Sequence, residues 1–313
     1  MNILFYHPFF NSNDWIPLIQ QQLPEAIVYP YCAGQNPPAD YALIWKPNHE
    51  MLAHRHDLKA IFALGAGVDA ILDQLQQTPD LLPKNVPLYR LEDAGMALQM
   101  QEYTIAIVMR YFRRLDEYYQ QQIMQQWRFL PPHQYDQFII GVMGLGVLGA
   151  QVAKRLASLG FKVKGWSYSL KSIAGIDCYH HDQLDIFLSG TKLLINLLPS
   201  TQETQGILNK QLFCKLADDS YLINIARGKH LVKADLLSAI SSNKIKAATL
   251  DVFAQEPLPK DDSFWDNKAI TITPHISALT KAEIAVPQII EKIHRIERGE
   301  KVVEGLIDFN KGY

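Results

Sequence analysis

The sequence predicts an α/β chain of two doubly wound, parallel-sheet domains, and three observations carry that expectation. Short apolar runs alternate with amphipathic helical patterns along nearly the whole chain. Such alternation implies parallel strands joined by right-handed crossovers. Within QYDQFIIGVMGLGVLGAQVAKRLASLG a buried-type strand passes through a glycine turn into an amphipathic helix. The chain has 313 residues, 48% of them hydrophobic, and at roughly 150 residues per domain this suits two domains.

Taken in order, NILFYH predicts the first strand and DWIPLIQQQL the helix after it. AIVYPY, YALIW and KAIFAL are further apolar runs of strand length. TIAIVMRYFRRLDEYYQQQIMQQW predicts one long helix bridging the two domains, stopped by Pro131-Pro132. After the central glycine turn, VKGWSY, KLLINLL, SYLINIA, KAATLDVF and AITIT read as strands, with helical segments around Lys210 and Ala234. KAEIAVPQIIEKIHRIERGE closes the chain as a helix that can return to the first domain.

A formal net charge of −2 argues against a nucleic-acid or membrane-surface partner. Cys32, Cys178 and Cys214 form no CxxC pair, and an odd count suits a reducing compartment. No cationic stretch precedes an apolar one at the N-terminus, and no run approaches the ~18 apolar residues of a membrane helix. A cytoplasmic protein is the expectation. No metal site is expected. His49, His54 and His56 lack a Cys or carboxylate cluster at ligand spacing, and His180-His181 reads as the polar start of a helical stretch. The absence of G-x-S-x-G disfavours a serine hydrolase.

Gly144-Leu145-Gly146-Val147-Leu148-Gly149 fits the dinucleotide fingerprint and has its required context, a strand before and a helix after. The first glycine makes the tight turn, the second admits the pyrophosphate, and the third lets helix and strand pack. The helix N-terminus adds unpaired N–H groups for the phosphates. Gly65-Ala66-Gly67-Val68-Asp69-Ala70 is a looser match after another strand. It is either a nest of N–H groups for a small anion, such as a carboxylate, or a plain tight turn.

NAD-binding folds place an acid about 20 residues beyond the glycines, on the ribose 2′-OH. Here the second strand ends Gly165-Trp166-Ser167-Tyr168-Ser169-Leu170-Lys171, with no acid. Ser167 and Ser169 can donate to a 2′-phosphate and Lys171 can pair with it, which favours NADP(H) while leaving NAD(H) possible.

Three apolar runs then end in different catalytic-type side chains: SYLINIA at Arg227, KAATLDVFAQ at Glu256 and AITITP at His275. Ligands of open α/β sheets bind outside the carboxyl ends of the strands. Imidazole is the side chain most suited to proton transfer near neutrality, so His275 is the candidate acid. Glu256 can hold the other ring nitrogen, and Arg227 can clamp a carboxylate bidentately.

These residues complete a resemblance to the D-isomer-specific 2-hydroxyacid dehydrogenase family, and within it to the glyoxylate/hydroxypyruvate reductase A group. NILFYHP, ADYALIW, FALGAGVD, RLEDAGM with MQEY, GVMGLGVLG, LINLLPSTQET, INIARG, LDVFAQEPLP, TITPHISA and the closing KGY all look like its blocks. The resemblance implies two Rossmann-like α/β domains with the active site in the cleft between them. The expected bounds are a flavodoxin-like substrate domain, 1–98 plus 279–313, and an NAD(P)-binding domain, 99–278. It implies catalytic roles for Arg227, Glu256 and His275, and cofactor contacts at Leu198, Pro199, Thr204, Ala226 and, for the carboxamide, Asp251. It places the substrate carboxylate on Ala66-Gly67 and a pocket aromatic at Trp45, and it implies a homodimer. One departure stands out: Tyr168, kept among the cofactor candidates, occupies a position where the group tends to have arginine.

The expected reaction is NADPH-dependent reduction of a small 2-oxo acid, glyoxylate or hydroxypyruvate, with His275 as proton donor. Formate oxidation on the same fold is disfavoured by Glu256, where such enzymes carry glutamine. A redox-sensing regulatory protein of the same fold is the alternative from another class.

Overall fold

The structure, a computed structural model, describes residues 1–309; the closing KGY block lies outside the described residues. The chain divides into two compact units, Met1–Met96 with the stretch from Thr280 onward, and Ala97–Leu279.

The first unit contains β1 (Asn2–Tyr6), α1 (Ser12–Gln22), β2 (Ile27–Pro30), β3 (Tyr41–Ile44), α2 (His49–Leu52), β4 (Ala60–Ala63), α3 (Asp69–Gln77) and β5 (Leu88–Tyr89). Its sheet is parallel in the order β2-β1-β3-β4-β5, one of the common doubly wound orders. β3 and β4 are buried along their whole length, as strands covered on both faces must be.

In the second unit, α4 (Met96–Phe112), whose first residue is the last of the first unit, and α5 (Leu115–Ile123) lead to β6 (Ile140–Met143), α6 (Val147–Ser158), β7 (Val163–Ser167) and β8 (Asp177–His180). Then follow α7 (Leu184–Leu188), β9 (Leu193–Asn196), α8 (Lys210–Lys215), β10 (Ser220–Asn224), α9 (Lys233–Ser241), β11 (Ile245–Leu250) and β12 (Ile270–Ile272). The seven strands are parallel in the order β12-β11-β10-β9-β6-β7-β8. This is the dinucleotide-binding order 3-2-1-4-5-6 with one strand added, and its order reverses between β6 and β9. Apolar clusters cover both faces. One contains Val142, Val152, Leu156 and Ile223, the other Met143, Phe187, Leu194 and Leu222.

The final helix, α10 (Ala282–Glu297), belongs to the first unit and packs on α1. It buries Ala285, Val286, Ile289, Ile290 and Ile293, a stripe at helical spacing. The chain after it meets the sheet edge, where Ile307 N–H donates to the Leu88 carbonyl (2.9 Å).

One expectation is corrected here. The single helix from Thr104 to Trp127 is broken at Arg114, whose φ is 59°. Its guanidinium grips both Glu117 oxygens and the Pro131 carbonyl, so these side-chain bonds outweigh continuous periodicity. The polar helix start expected at His180-His181 is present: His180 closes β8 and caps the short 3-10 turn His181–Gln183, which runs into α7.

Two half-buried histidines are held neutral. His7 Nδ1 accepts from the Phe9 and Phe10 N–H groups (3.1 and 2.9 Å). Burial, then the Lys46 charge, pushes it down to about 4. His133 lies against Phe138 and Tyr221. Burial, then Arg114, Lys192 and Lys246, pushes it down to about 4. Since both folded values lie below the unfolded one, the unfolded chain takes up protons first as pH falls. Stability is therefore full above about 6.5 and declines toward the folded values. The urea midpoint is expected to drop between pH about 7 and about 5, above the range in which carboxylates titrate. The double variant His7→Phe/His133→Phe should show a shallower drop; an equally steep one excludes these two groups as the cause.

Candidate active site

The glycine turn follows β6 at the carboxyl edge of the sheet. Gly144 has φ 99°, and a Cβ there would come 2.6 Å from the Leu197 carbonyl oxygen. A Cβ at Gly149 would overlap the Gly144 carbonyl oxygen, so α6 can start close to β6 only with glycine. Gly146 differs: a Cβ there would meet nothing within 4 Å. Its glycine is not explained by packing within the chain. It fits a turn that leaves room for a pyrophosphate above the uncapped N-terminus of α6. Gly146 and Val147 are exposed, while Leu145 is buried and fills the space over Gly165.

Arg227, Glu256 and His275 follow β10, β11 and β12, three neighbouring strands. His275 Nδ1 lies 2.8 Å from Glu256 Oε2, and the other Glu256 oxygen accepts from the Phe253 N–H (2.9 Å). The carboxylate is therefore fixed at both ends, and the imidazole keeps Nε2 for other partners. Burial alone would raise the Glu256 pKa. The His275 hydrogen bond, the Phe253 N–H and the charges of His275 and Arg227 reverse this and hold it below the ordinary carboxylate range. Arg227 Nη1 donates to the Ala226 carbonyl (2.7 Å). A Cβ at Gly228 would overlap the Phe253 backbone, so the Arg227-Gly228 pair packs tightly against the segment that carries Glu256.

His275 has φ 57°, a left-handed conformation uncommon outside glycine. Asp251 holds it there. The His275 N–H donates to the Asp251 carbonyl (2.8 Å). The Asp251 carboxylate accepts from the Thr273 hydroxyl (2.6 Å), the Ile276 N–H (2.9 Å) and the Ser277 N–H (2.8 Å). Asp251 is fully buried. Its expected part as a carboxamide contact has one remaining acceptor position on Oδ2; its visible part is to shape the His275 turn. Tyr103 on α4 extends the chain of bonds through Thr273 (2.6 Å).

A second buried network was not legible in the sequence. Asn196, at the end of β9, donates through both Nδ2 hydrogens, to Asn224 Oδ1 (3.0 Å) and His230 Nδ1 (2.8 Å). Asn224 Nδ2 donates to the Arg227 carbonyl (3.1 Å), and His230 Nε2 lies 3.2 Å from the Pro199 carbonyl. This network fixes the loops that carry Leu198-Pro199 and Ala226-Arg227. Leu198 and Ala226 are buried and Pro199 is exposed. Thr204 caps its own loop, accepting from the Thr201 N–H (2.9 Å) and donating to the Pro199 carbonyl (2.8 Å). The signal available was polar residues, Asn196 and Asn224, closing otherwise apolar strands.

Of the residues expected near a 2′-phosphate, Lys171 and Tyr168 are exposed. Ser167 is buried and donates its hydroxyl to the Ser169 carbonyl (2.7 Å), so that hydrogen is engaged within the chain.

In the first unit, a Cβ on Gly65 would sit 3.0 Å from the Trp45 ring, so that ring lies against the Gly65-Ala66-Gly67 turn. Arg90, which sequence reasoning missed, donates to the Ala66 carbonyl (3.3 Å) and adds a cation to the turn. His7 stacks near Trp45, with ring centroids 6.4 Å apart.

Comparison with known proteins places this geometry. Residues 105–277 match the model of the D-isomer specific 2-hydroxyacid dehydrogenase NAD binding domain. The chain is 53% identical to the glyoxylate/hydroxypyruvate reductase A of Yersinia enterocolitica and 54% identical to that of Serratia proteamaculans, each over 100% of both chains. Among solved structures it resembles a D-isomer specific 2-hydroxyacid dehydrogenase from Xanthobacter autotrophicus in complex with NADPH (TM-score 0.93, 36% identity, 100% of this chain and 99% of that one). It also resembles an NADPH-dependent glyoxylate/hydroxypyruvate reductase from Sinorhizobium meliloti in complex with NADP and sulfate (TM-score 0.91, 33% identity, 100% and 99%).

Proposed function

The chain belongs to the D-isomer-specific 2-hydroxyacid dehydrogenase family, and from that premise we propose that it reduces glyoxylate or hydroxypyruvate to the 2-hydroxy acid with NADPH. The observation that carries the reading is the Glu256–His275 pair, fixed on Nδ1 and open on Nε2. When bound at the glycine turn, the nicotinamide supplies the hydride. His275 donates the proton from Nε2 to the carbonyl oxygen. Glu256 orients the ring and stabilises the imidazolium in its donating state. Arg227 clamps the substrate carboxylate and polarises the neighbouring carbonyl. Leu198, Pro199, Thr204, Ala226 and Asp251 are the proposed cofactor contacts beside Gly144–Gly149, with Lys171 and Tyr168 toward the ribose. In the first unit, Trp45 and the Gly65-Ala66-Gly67 turn are the proposed substrate-binding elements. We assign 1–98 plus 279–313 to substrate and 99–278 to cofactor.

A homodimer is part of the proposal, supported by exposed apolar side chains on α5 and just after it, Ile123, Met124, Trp127 and Phe129. So is a cytoplasmic location, supported by three free cysteines. Among the described residues no helix is long and apolar enough to cross a membrane. Initial rates across a panel of 2-oxo acids, with NADPH and NADH compared, test the function. Saturable NADPH oxidation with glyoxylate and hydroxypyruvate is expected. No oxidation with any 2-oxo acid would overturn the proposal.

A further inference from the structure

The carboxyl ends of β6, β7 and β8 stand side by side, with Met143 level with Trp166 and Ser167 level with His180 in the ladder. In this fold the ribose of a bound dinucleotide meets the end of the second strand, here Ser167. That strand end holds no acid and, at Tyr168, no arginine; the Ser167 hydroxyl is already bonded internally.

What the strand end does hold is an aromatic and imidazole cluster. Tyr168, 74% exposed, stacks on the His181 ring with centroids 5.0 Å apart and planes at 20°. His181 Nδ1 lies 3.2 Å from His180 Nε2, and His180 Nδ1 lies 2.8 Å from the Asp182 carboxylate. The three residues bring their ligand atoms within 4.8 Å of one another, but the ring nitrogens already face each other and a carboxylate, so the group is organised by hydrogen bonds. The His180 side chain also meets the Gln183 N–H that closes the turn. Only one hydrogen fits between the two facing ring nitrogens, so His181 Nε2 is the ring nitrogen not engaged in these bonds. Its ring is stacked against the Tyr168 phenol, and an aromatic face of this kind attracts a cation. The Asp182 carboxylate lies on the side of His180 away from His181.

We propose that His181 and Tyr168, braced by His180 and Asp182, bind the 2′-phosphate of NADP(H), in place of an arginine at position 168. The inference rests on the reading that the chain uses NADPH. His180 and His181 thereby act in cofactor choice, a role that neither the glycine turn nor the catalytic residues supply.

The test is equilibrium fluorescence titration of the intact protein with NADPH and with NADH. His181→Ala is expected to weaken NADPH binding about tenfold, the loss of one charge-assisted hydrogen bond, and to leave NADH binding within about twofold. His181→Arg keeps a cation and should retain the preference. His181 is exposed on a short turn, and unchanged NADH binding reports that the variant is folded. Equal weakening of both cofactors, no change in either, or His181→Arg binding NADPH as poorly as His181→Ala would each overturn the inference. A wild-type protein that binds NADH but does not prefer NADPH overturns it as well. If the wild type binds neither cofactor, the proposed function fails first and the inference with it.

Discussion

His275→Ala is expected to lower kcat by a factor of about 10²–10⁴, the usual worth of a positioned general acid, while the NADPH dissociation constant stays within about twofold. The imidazole is bonded to Glu256 through Nδ1 only, so the variant removes the proposed proton donor without touching the glycine turn. The left-handed backbone at His275 complicates a reading from alanine alone, because a Cβ-bearing residue without a polar side chain is disfavoured there. His275→Asn separates the two effects: asparagine tolerates the left-handed region but is no proton donor of the required acidity. Both variants should lose turnover together. If His275→Asn keeps wild-type kcat, the residue serves the backbone and not the chemistry.

Asp251→Ala is expected to cost about 3–5 kcal/mol of stability, the cost of leaving several buried donors unsatisfied at once. Three donors lose their acceptor at once: the Thr273 hydroxyl and the Ile276 and Ser277 N–H groups. A buried donor left without a partner costs about 1–3 kcal/mol. The consequence for catalysis follows from position, since these donors flank the turn that carries His275. Asp251→Asn should be milder, because its oxygen can still accept, while its Nδ2 would face a donor. Urea denaturation measures the stability, and kcat measured on the folded fraction reports the turn. An Asp251→Ala protein as stable as wild type would show that water replaces the carboxylate and that the turn holds by itself.

The sequence was most legible where the signal is local. A buried strand, three glycines and an amphipathic helix are contiguous, and one of the glycines, Gly149 against Gly144, has its reason within a few residues of itself. Arg227, Glu256 and His275 stood out as candidates because each follows an apolar run, and ligands of a parallel sheet meet the carboxyl ends of its strands. Arg90, His7 and the Asn196–Asn224–His230 network did not. Apart from the Phe9 and Phe10 N–H groups beside His7, their partners come from other strands and loops, and the one local sign is a polar residue closing an apolar strand. Ser167 shows the limit from the other side: as a letter it is a phosphate donor, but in space its hydroxyl has an internal acceptor.

By itself, then, the sequence determined the alternating α/β elements, the dinucleotide turn and the identities of the cation, carboxylate and imidazole. These follow from hydrophobic period and from backbone freedom, which are properties of neighbouring residues. Only the tertiary structure decided that Glu256 meets His275 on one ring nitrogen, that Asp251 holds the turn beneath it, and that His180 stands level with Ser167 at the strand ends. Those pairings depend on strand order and ladder register. In a parallel sheet both are set by crossovers that bring together residues far apart in the chain.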